Sequence, residues 1–509
     1  MNKYTVEMLD NECWYGLCVQ DGMQFPIDAS SNYAADFTVN YTSNQVCPIL
    51  ISNCGRYIYS DTCFKISAKG GIITIETENV IELICAGSTL KEAYLEASKE
   101  HFPPKDGIPP REFFETPQYN TWIELLYDQN QADILNYAEG IINNGYPAGI
   151  LMIDDAWQKY YGCWEFDPER FPDPKAMTDK LHSMGFKVML WTCPYISPDS
   201  PEFRELLERD LLTKTEAGKP SLHEWWDGYS ATIDLSNPVA VLWYDLKLKK
   251  LCAQYGIDGF KFDAGDARFY VNDKISLGET SPNVFSELWA KFGLNYKYNE
   301  YRACVGCQGY PLVQRLADKY HSWDGRGMAS LIPNILAQGI MGYAYTCPDM
   351  IGGGEWSFFR GEGLSERLDE ELFVRYAQCA ALMPMMQFSA APWRVLSEEN
   401  AMLCLRAARL HIQYAHYILS LAEQSAKTGE PIVRYMEYEF PKCGYERVTD
   451  MFMLGDRILV APVTEKGKTV REVKLPEGRW AYLGEKIFDG GKTVTVDAPI
   501  SVLPYFEKR

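Results

Sequence analysis

From about residue 118 the chain settles into one rhythm: a short apolar run, an amphipathic stretch of helical period, then another apolar run. The runs are AGILMIDD, FKVMLWTCPY, SATIDLS, IDGFKFDAG, YRACVG, HSWDG, GIMGYAYTCPD and ALMPMMQFS. Between them lie stretches such as DPKAMTDKLHSMG, PEFRELLERDLL and PVAVLWYDLKLKKLCAQYG. Strands alternating with helices in this number, over roughly 300 residues, predict an α/β fold built on a (β/α)8 barrel with loop insertions. A doubly wound open sheet is the other architecture for such alternation, but no glycine-rich phosphate loop opens the series.

The flanks read differently. Residues 1 to about 110 carry DFTVNYT, RYIYS and CFKISAKGGIITIETENVIELICAG, β-branched and aromatic runs between Gly, Asn and Ser turns. They predict an N-terminal β-sandwich over 1–115. HFPPKDGIPPREFFETP (101–117) is proline-rich and reads as a linker. The barrel is expected over 116–425. Strands and tight turns return in DMFMLGDRILVAPV, TVREVKLPEGRWAYL and KTVTVDAP, which predict a C-terminal β-sandwich over 426–509.

Composition narrows the function. Sixty-nine acids against 49 Lys and Arg give a formal charge of −20. Phosphate neutralisation needs basic clusters, and none is present, so nucleic acid is not an expected partner. No apolar run reaches the ~18 residues of a membrane span, and MNKYTVEMLDNECWYG has no basic-then-apolar signal. Fifteen cysteines at irregular spacing fit a reducing, cytoplasmic location better than a disulfide scaffold. The six histidines form no HxH or HExxH pattern, GKT lacks its upstream glycine, and the single CxxC at 304–307 has no second pair. Neither a metal nor an organic cofactor is expected.

What remains is carboxylate chemistry. Barrel enzymes place their chemistry at the C-terminal ends of the strands, and here those ends carry Asp154, Asp155, Trp191, Asp263, Asp324 and Asp349. A single acid there is ordinarily a helix cap. Several around one mouth raise the pKa of at least one member, which keeps an acid protonated for donation. Two carboxyls flanking one bond are what glycoside hydrolysis needs: one attacks the anomeric carbon, the other protonates the leaving oxygen and then activates water. Lys261 lies two residues before Asp263, on the same side of the strand, where its ammonium can hold that aspartate ionised.

These residues resemble glycoside hydrolase family 31, retaining enzymes of α-glycosides. GFKFDAGD is similar to the family's nucleophile strand, and WDGRGMASLIPNILAQGIMGYAYTCPDMIGGG to its acid/base loop and the strand that follows. GEPIVRYMEYEFP and DMFMLGDRILVAPV resemble its C-terminal sandwich. HFPP, IDDAW, FDPERFPDP, HEWWDG, KFDAG, SLIP, PDMIGG and MQFSAAPWR resemble a subgroup associated with α-galactosidase activity.

The resemblance implies Asp263 as nucleophile and Asp324 as acid/base. It implies Arg302 as substrate-binding arginine, and Asp154, Asp155, Trp191, Trp226, Lys261 and Asp349 around the sugar. It further implies an exo-acting hydrolase of terminal α-linked hexose, leaning to α-galactoside, whose partner is a small carbohydrate. α-Glucosidase, α-xylosidase, a transglycosylase and a non-catalytic carbohydrate-binding barrel are the alternatives. The sequence carries no signal of oligomeric state. Three departures stand out: Asp266 occupies a position that is usually Glu, the segment from Arg302 to Asp324 is long, and one C-terminal sandwich is present where larger members have two.

Overall fold

The computed structural model describes residues 2–272, 274–278, 280–361 and 363–509. Its centre is a ring of eight parallel strands. They are β1 (Gln118–Asn120), β2 (Ile150–Ile153), β3 (Lys187–Thr192), β4 (Gly259–Phe262), β5 (Tyr298–Tyr301), β6 (Val313–Arg315), β7 (Thr346–Cys347) and β8 (Gln387–Phe388). Each pairs with the next from β1 to β7, and β8 pairs back onto β1. The seam between β7 and β8 is spanned by Ile351 N donating to Gln387 O at 2.8 Å.

The helices between the strands start where their sequence says they should. Asp173, Ser200, Asn237 and Ser281 each cap a free backbone N–H, and each is followed by a proline in the first helical turn. Proline loses nothing there, because that N–H has no helical partner, and each cap is worth about 1 kcal/mol. The helix Pro238–Tyr255 ends at Gly256, whose φ of 77° favours glycine.

Two of the eight strands expected from the apolar runs are not barrel staves. The residues of SATIDLS fall on and after Gly228–Thr232, which pairs antiparallel with Leu222–Trp225 and with Tyr195–Ile196 in a small sheet inserted after β3. HSWDG is a turn: Asp324 Oδ1 accepts from Ser322 Oγ at 2.7 Å and from Arg326 N at 2.9 Å. In their place stand β1 and β6, whose polar residues Gln118, Asn120, Gln314 and Arg315 are buried. They find partners inside the barrel or on the neighbouring domain: Gln387 Nε2 donates to Gln118 Oε1 at 3.1 Å and to Glu300 Oε2 at 2.8 Å, and Gln45 Nε2 to Gln314 Oε1 at 2.7 Å. Hydrogen bonding to each other makes such residues tolerable in a core, and it hides their strands from a hydropathy pattern.

On the N-terminal side two four-stranded antiparallel sheets face each other around Trp14, Leu50, Ile66 and Ile73. The helix Leu90–His101 follows them, in a region expected to be all strand. On the C-terminal side a six-stranded and a two-stranded sheet enclose Trp480, Met453 and Phe506. A helix of 31 residues, Glu398–Thr428, leads from the barrel to this last domain. Among the described residues no helix is long and apolar enough to cross a membrane.

Candidate active site

At the C-terminal ends of the strands lies a cavity of about 310 Å3, at the lower end of the range for small-molecule sites. The stretch GFKFDAGD builds its floor. Phe260 and Phe262 alternate outward, Phe262 stacking on Tyr301 at 5.2 Å and meeting Trp289 edge-on at 5.3 Å. Lys261 and Asp263 therefore point inward. The chain then turns sharply at Ala264, held at a φ of 59°. Its carbonyl accepts from the hydroxyls of Tyr195 at 2.9 Å and Tyr270 at 3.0 Å. Gly265 is required here, since a Cβ would lie 2.5 Å from Trp289, whose indole donates to Asp263 O.

Asp263 sits in a cage of donors. Oδ1 accepts from Arg302 Nη2 at 3.0 Å, Arg302 Nε at 3.2 Å and Ala264 N at 2.8 Å, and Oδ2 accepts from Trp191 Nε1 at 3.0 Å. Lys261 Nζ stands 3.8 Å away. Burial pushes this carboxyl up, but the charges of Arg302, Lys261 and Arg315 outweigh it and hold Asp263 well below the usual carboxylate range. Asp263 is thus an ionised, immobile carboxylate that is hydrogen-bonded but not quenched by proton transfer.

Lys261 is nearer to Asp154, at 2.7 Å, than to Asp263. Asp154 also accepts from Asn120 Nδ2 at 2.7 Å and from Asp155 N at 2.9 Å. The lysine thus bridges the acids of β2 and β4, and is not simply the partner of Asp263. Arg302 likewise forks between two carboxylates, reaching Asp266 Oδ2 at 2.7 Å and Oδ1 at 3.1 Å. The shorter side chain at 266 meets that fork without difficulty.

Asp155 adjoins a second acid, Asp227, through Tyr161. The tyrosine hydroxyl lies 3.0 and 3.1 Å from the oxygens of Asp155 and 2.5 Å from Asp227 Oδ2. One hydroxyl hydrogen cannot serve three carboxylate oxygens, so the two acids crowd a single donor. Burial, then the charge of Asp227 and then that of Asp154, raise Asp155 well above the usual range. Tyr127 donates to the other Asp227 oxygen at 3.0 Å.

The structure separates the remaining expected residues. Trp191 is buried and lines the cavity; Trp226 lines it while 43% exposed, its ring 5.6 Å from the Arg302 guanidinium. Its neighbour Trp225 is core, stacked on Trp191. Asp349 is fully buried behind the cavity wall, accepting from Arg315 Nη1, from Lys319 N at 2.6 Å and from Gly354 N at 2.7 Å. Burial pushes it up to about 7 against the pull of Arg315. Its position makes it a support for the loop and not a sugar contact.

Asp324 does not reach the cavity. Its side chain is 52% exposed and pairs with Arg326 at 3.2 Å. The acids that line the cavity with Asp263 are Asp154, Asp155 and Asp318; the first is engaged by Lys261 and the second by Tyr161, while Asp318 follows β6 and pairs with Arg315 Nη1 at 2.9 Å. The sequence did hold a signal for this: VQRLAD also ends in an acid, and placing the acid at 318 removes the overlong segment after Arg302. Trp122 and Tyr127, both from the segment after β1, and Trp356, from the segment after β7, complete the wall.

A cage-held carboxylate, further carboxyls lining the same cavity and aromatic walls at the mouth of a (β/α)8 barrel define a class. The chain matches the glycosyl hydrolases family 31 TIM-barrel domain over residues 108–421 and that family's C-terminal domain over 429–509, and it belongs to this family. Among named relatives, it is 33% identical over 430 residues to the mouse myogenesis-regulating glycosidase, covering 82% of this chain and 59% of that protein. It is 27% identical over 369 residues to a sulfoquinovosidase of Escherichia coli, covering 67% of this chain and 52% of that one. The chain thus spans little more than half the length of these relatives. A Flavobacterium johnsoniae dextranase of the same family, solved with glucose, superposes with a TM-score of 0.87 at 21% identity, covering 99% of this chain and 66% of that one, which establishes the fold.

Proposed function

We propose that the protein is a retaining, exo-acting α-glycosidase that removes one terminal neutral hexose. The observation that carries this reading is the placement of Asp263, ionised in its cage, in one cavity with Asp318. Asp263 attacks the anomeric carbon as Asp318 gives its proton to the departing glycosidic oxygen, and a glycosyl ester forms on Asp263. Asp318, now ionised, takes a proton from water, whose oxygen displaces Asp263 with the original configuration restored. Retention by this route calls for carboxyls about 5–5.5 Å apart.

The choice of a neutral sugar is supported by the wall beyond Lys261. Asp154, Asp155 and Asp227 gather there, and Lys261 is already engaged by Asp154. These carboxyls offer acceptors to sugar hydroxyls, and with Lys261 engaged by Asp154 no unengaged cation among the described residues stands there to pair a sulfonate or carboxylate on the far edge of the ring. Galactose stands first among neutral sugars on the strength of the subgroup motifs, with glucose and xylose as alternatives. The fifteen free cysteines, most of them buried, support action in a reducing compartment such as the cytoplasm.

Initial rates on nitrophenyl α-galactoside, α-glucoside, α-xyloside and α-sulfoquinovoside, with proton NMR of the first-formed anomer, test the reading. Turnover of a neutral member with the α-anomer released first is expected. A β-anomer as first product overturns retention, fastest turnover of the sulfoquinovoside overturns the neutral assignment, and binding without turnover leaves a carbohydrate-binding barrel. Oligosaccharide products at high substrate would mark a transglycosylase.

A further inference from the structure

The loop 37–46 of the N-terminal sandwich enters the barrel mouth with three buried amides, Asn40, Asn44 and Gln45. Asn44 makes no side-chain hydrogen bond within its own domain. Its Nδ2 donates to Arg302 O at 3.0 Å and to Arg315 O at 3.2 Å, and its Oδ1 accepts from Ala317 N at 3.0 Å. One side chain therefore ties the exit of β5, the exit of β6 and the residue before Asp318. Both amide hydrogens are used, one on the carbonyl of Arg302 just past β5 and one on that of Arg315 at the end of β6.

The loop itself is held firmly. Asn40 Nδ2 donates to Asn44 O at 2.8 Å, and Asn40 N donates to Asn283 Oδ1 at 2.8 Å on the helix that follows β4. Gln45 Nε2 also donates to Arg302 O, at 2.8 Å, and Arg302 Nη1 donates to Ser43 O at 3.1 Å. Arg302 thus has two further ties to the loop. The contacts with Arg315 O and Ala317 N are made by Asn44 alone among the loop's side chains.

We infer that Asn44 is a positioning residue for the acid/base step: the N-terminal sandwich sets, through this one amide, where Asp318 stands against the glycosidic oxygen. The inference rests on the reading of Asp318 as acid/base. Proton donation demands a heavy-atom separation of about 2.6–3.2 Å, and a displacement near 1 Å costs about a hundredfold in rate. Asp318 sits half exposed on a loop, with Arg315 as its hydrogen-bonded neighbour. Its backbone is held on both sides: Asp349 of the barrel accepts from Lys319 N at 2.6 Å, and Asn44, from outside the barrel, accepts from Ala317 N at 3.0 Å.

The test uses the full chain with Asn44→Ala and Asn44→Asp, the second nearly isosteric and able to keep the acceptor for Ala317 N. Each is assayed beside Asp318→Asn on a dinitrophenyl glycoside, which leaves without an acid, and on the methyl glycoside of the same sugar, which does not. Asp318→Asn is expected to lose a hundredfold or more on the methyl glycoside and under about fivefold on the aryl one in kcat/KM. The Asn44 variants should show the same split, at about ten- to a hundredfold on the methyl glycoside. A split in Asp318→Asn with uniform loss, or no loss, in both Asn44 variants overturns the positioning role and leaves the acid/base reading standing. No split in Asp318→Asn overturns that reading and this inference with it. Asn44→Asp decides the outcome if Asn44→Ala does not fold.

Discussion

At the residue scale, environment separates aspartates that look alike in the sequence. Asp263 and Asp324 both precede a small residue and both follow an aromatic, yet one is caged by Arg302, Trp191 and a backbone N–H while the other closes a solvent-exposed turn. Asp263→Ala should reduce turnover by on the order of 10^3-fold or more, while Arg302 keeps Asp266 as partner and the fold survives. Asp324→Ala should retain activity within about twofold, since surface substitutions usually stay within ±0.5 kcal/mol. Steady-state kinetics with circular dichroism on both variants checks the pair. Comparable loss in Asp324→Ala would return the acid to the turn.

At the scale of elements, the inserted sheet after β3 does work that the barrel strands do not. Its hairpin, Leu222–Trp225 with Gly228–Thr232, packs Trp225 under Trp191 and leaves Trp226 at the mouth. An exposed aromatic face over the cavity suits the C–H face of the sugar or of the group beyond it. Trp226→Ala should raise KM by about three- to tenfold with kcat nearly unchanged, the effect of a stacking contact worth about 0.5–1.5 kcal/mol. A fall in kcat alone would place the ring in the chemistry and not in binding. The SATIDLS segment was expected in the barrel because an apolar run has the same signature in either setting; only its hairpin partner distinguishes them.

At the scale of the whole molecule, the three domains meet at charged and polar junctions. Glu437 lies in the short helix Met436–Glu439, which leads into the C-terminal sandwich, and is fully buried. Lys442 N donates to it at 3.0 Å, and nearby Glu446 accepts through its carbonyl from Tyr15 of the N-terminal sandwich at 2.7 Å. Burial, helped by the charge of Glu446, pushes Glu437 up to about 7 from an ordinary 4.5. A raised carboxyl binds its proton more tightly in the folded chain, so its contribution to stability is full below pH 4.5 and declines as pH rises to about 7. Glu437→Gln keeps the neutral shape and removes that decline. Its melting midpoint should match the parent's near pH 4.5 and exceed it by a few degrees at pH 8, read by thermal unfolding across the range. A constant difference at all pH values would remove Glu437 from the pH dependence.

The order of strands and helices, the two flanking sandwiches and the ionised acid at the end of β4 were legible because each depends on local signals: apolar period, caps and a charged pair on one face of a strand. Strands β1 and β6 were not, because Gln118, Gln314 and Arg315 find their partners on other strands or on another domain. The same reason moved the second carboxyl. Asp318 lines the cavity with Asp263 and Asp324 does not, and the loop after Arg315 that carries both is tied to Asn44, far away in the chain, and to Asp349. Short-range pattern determined what kind of barrel this is and which acid is ionised; contacts between residues hundreds of positions apart hold the loop on which Asp318 lines the same cavity.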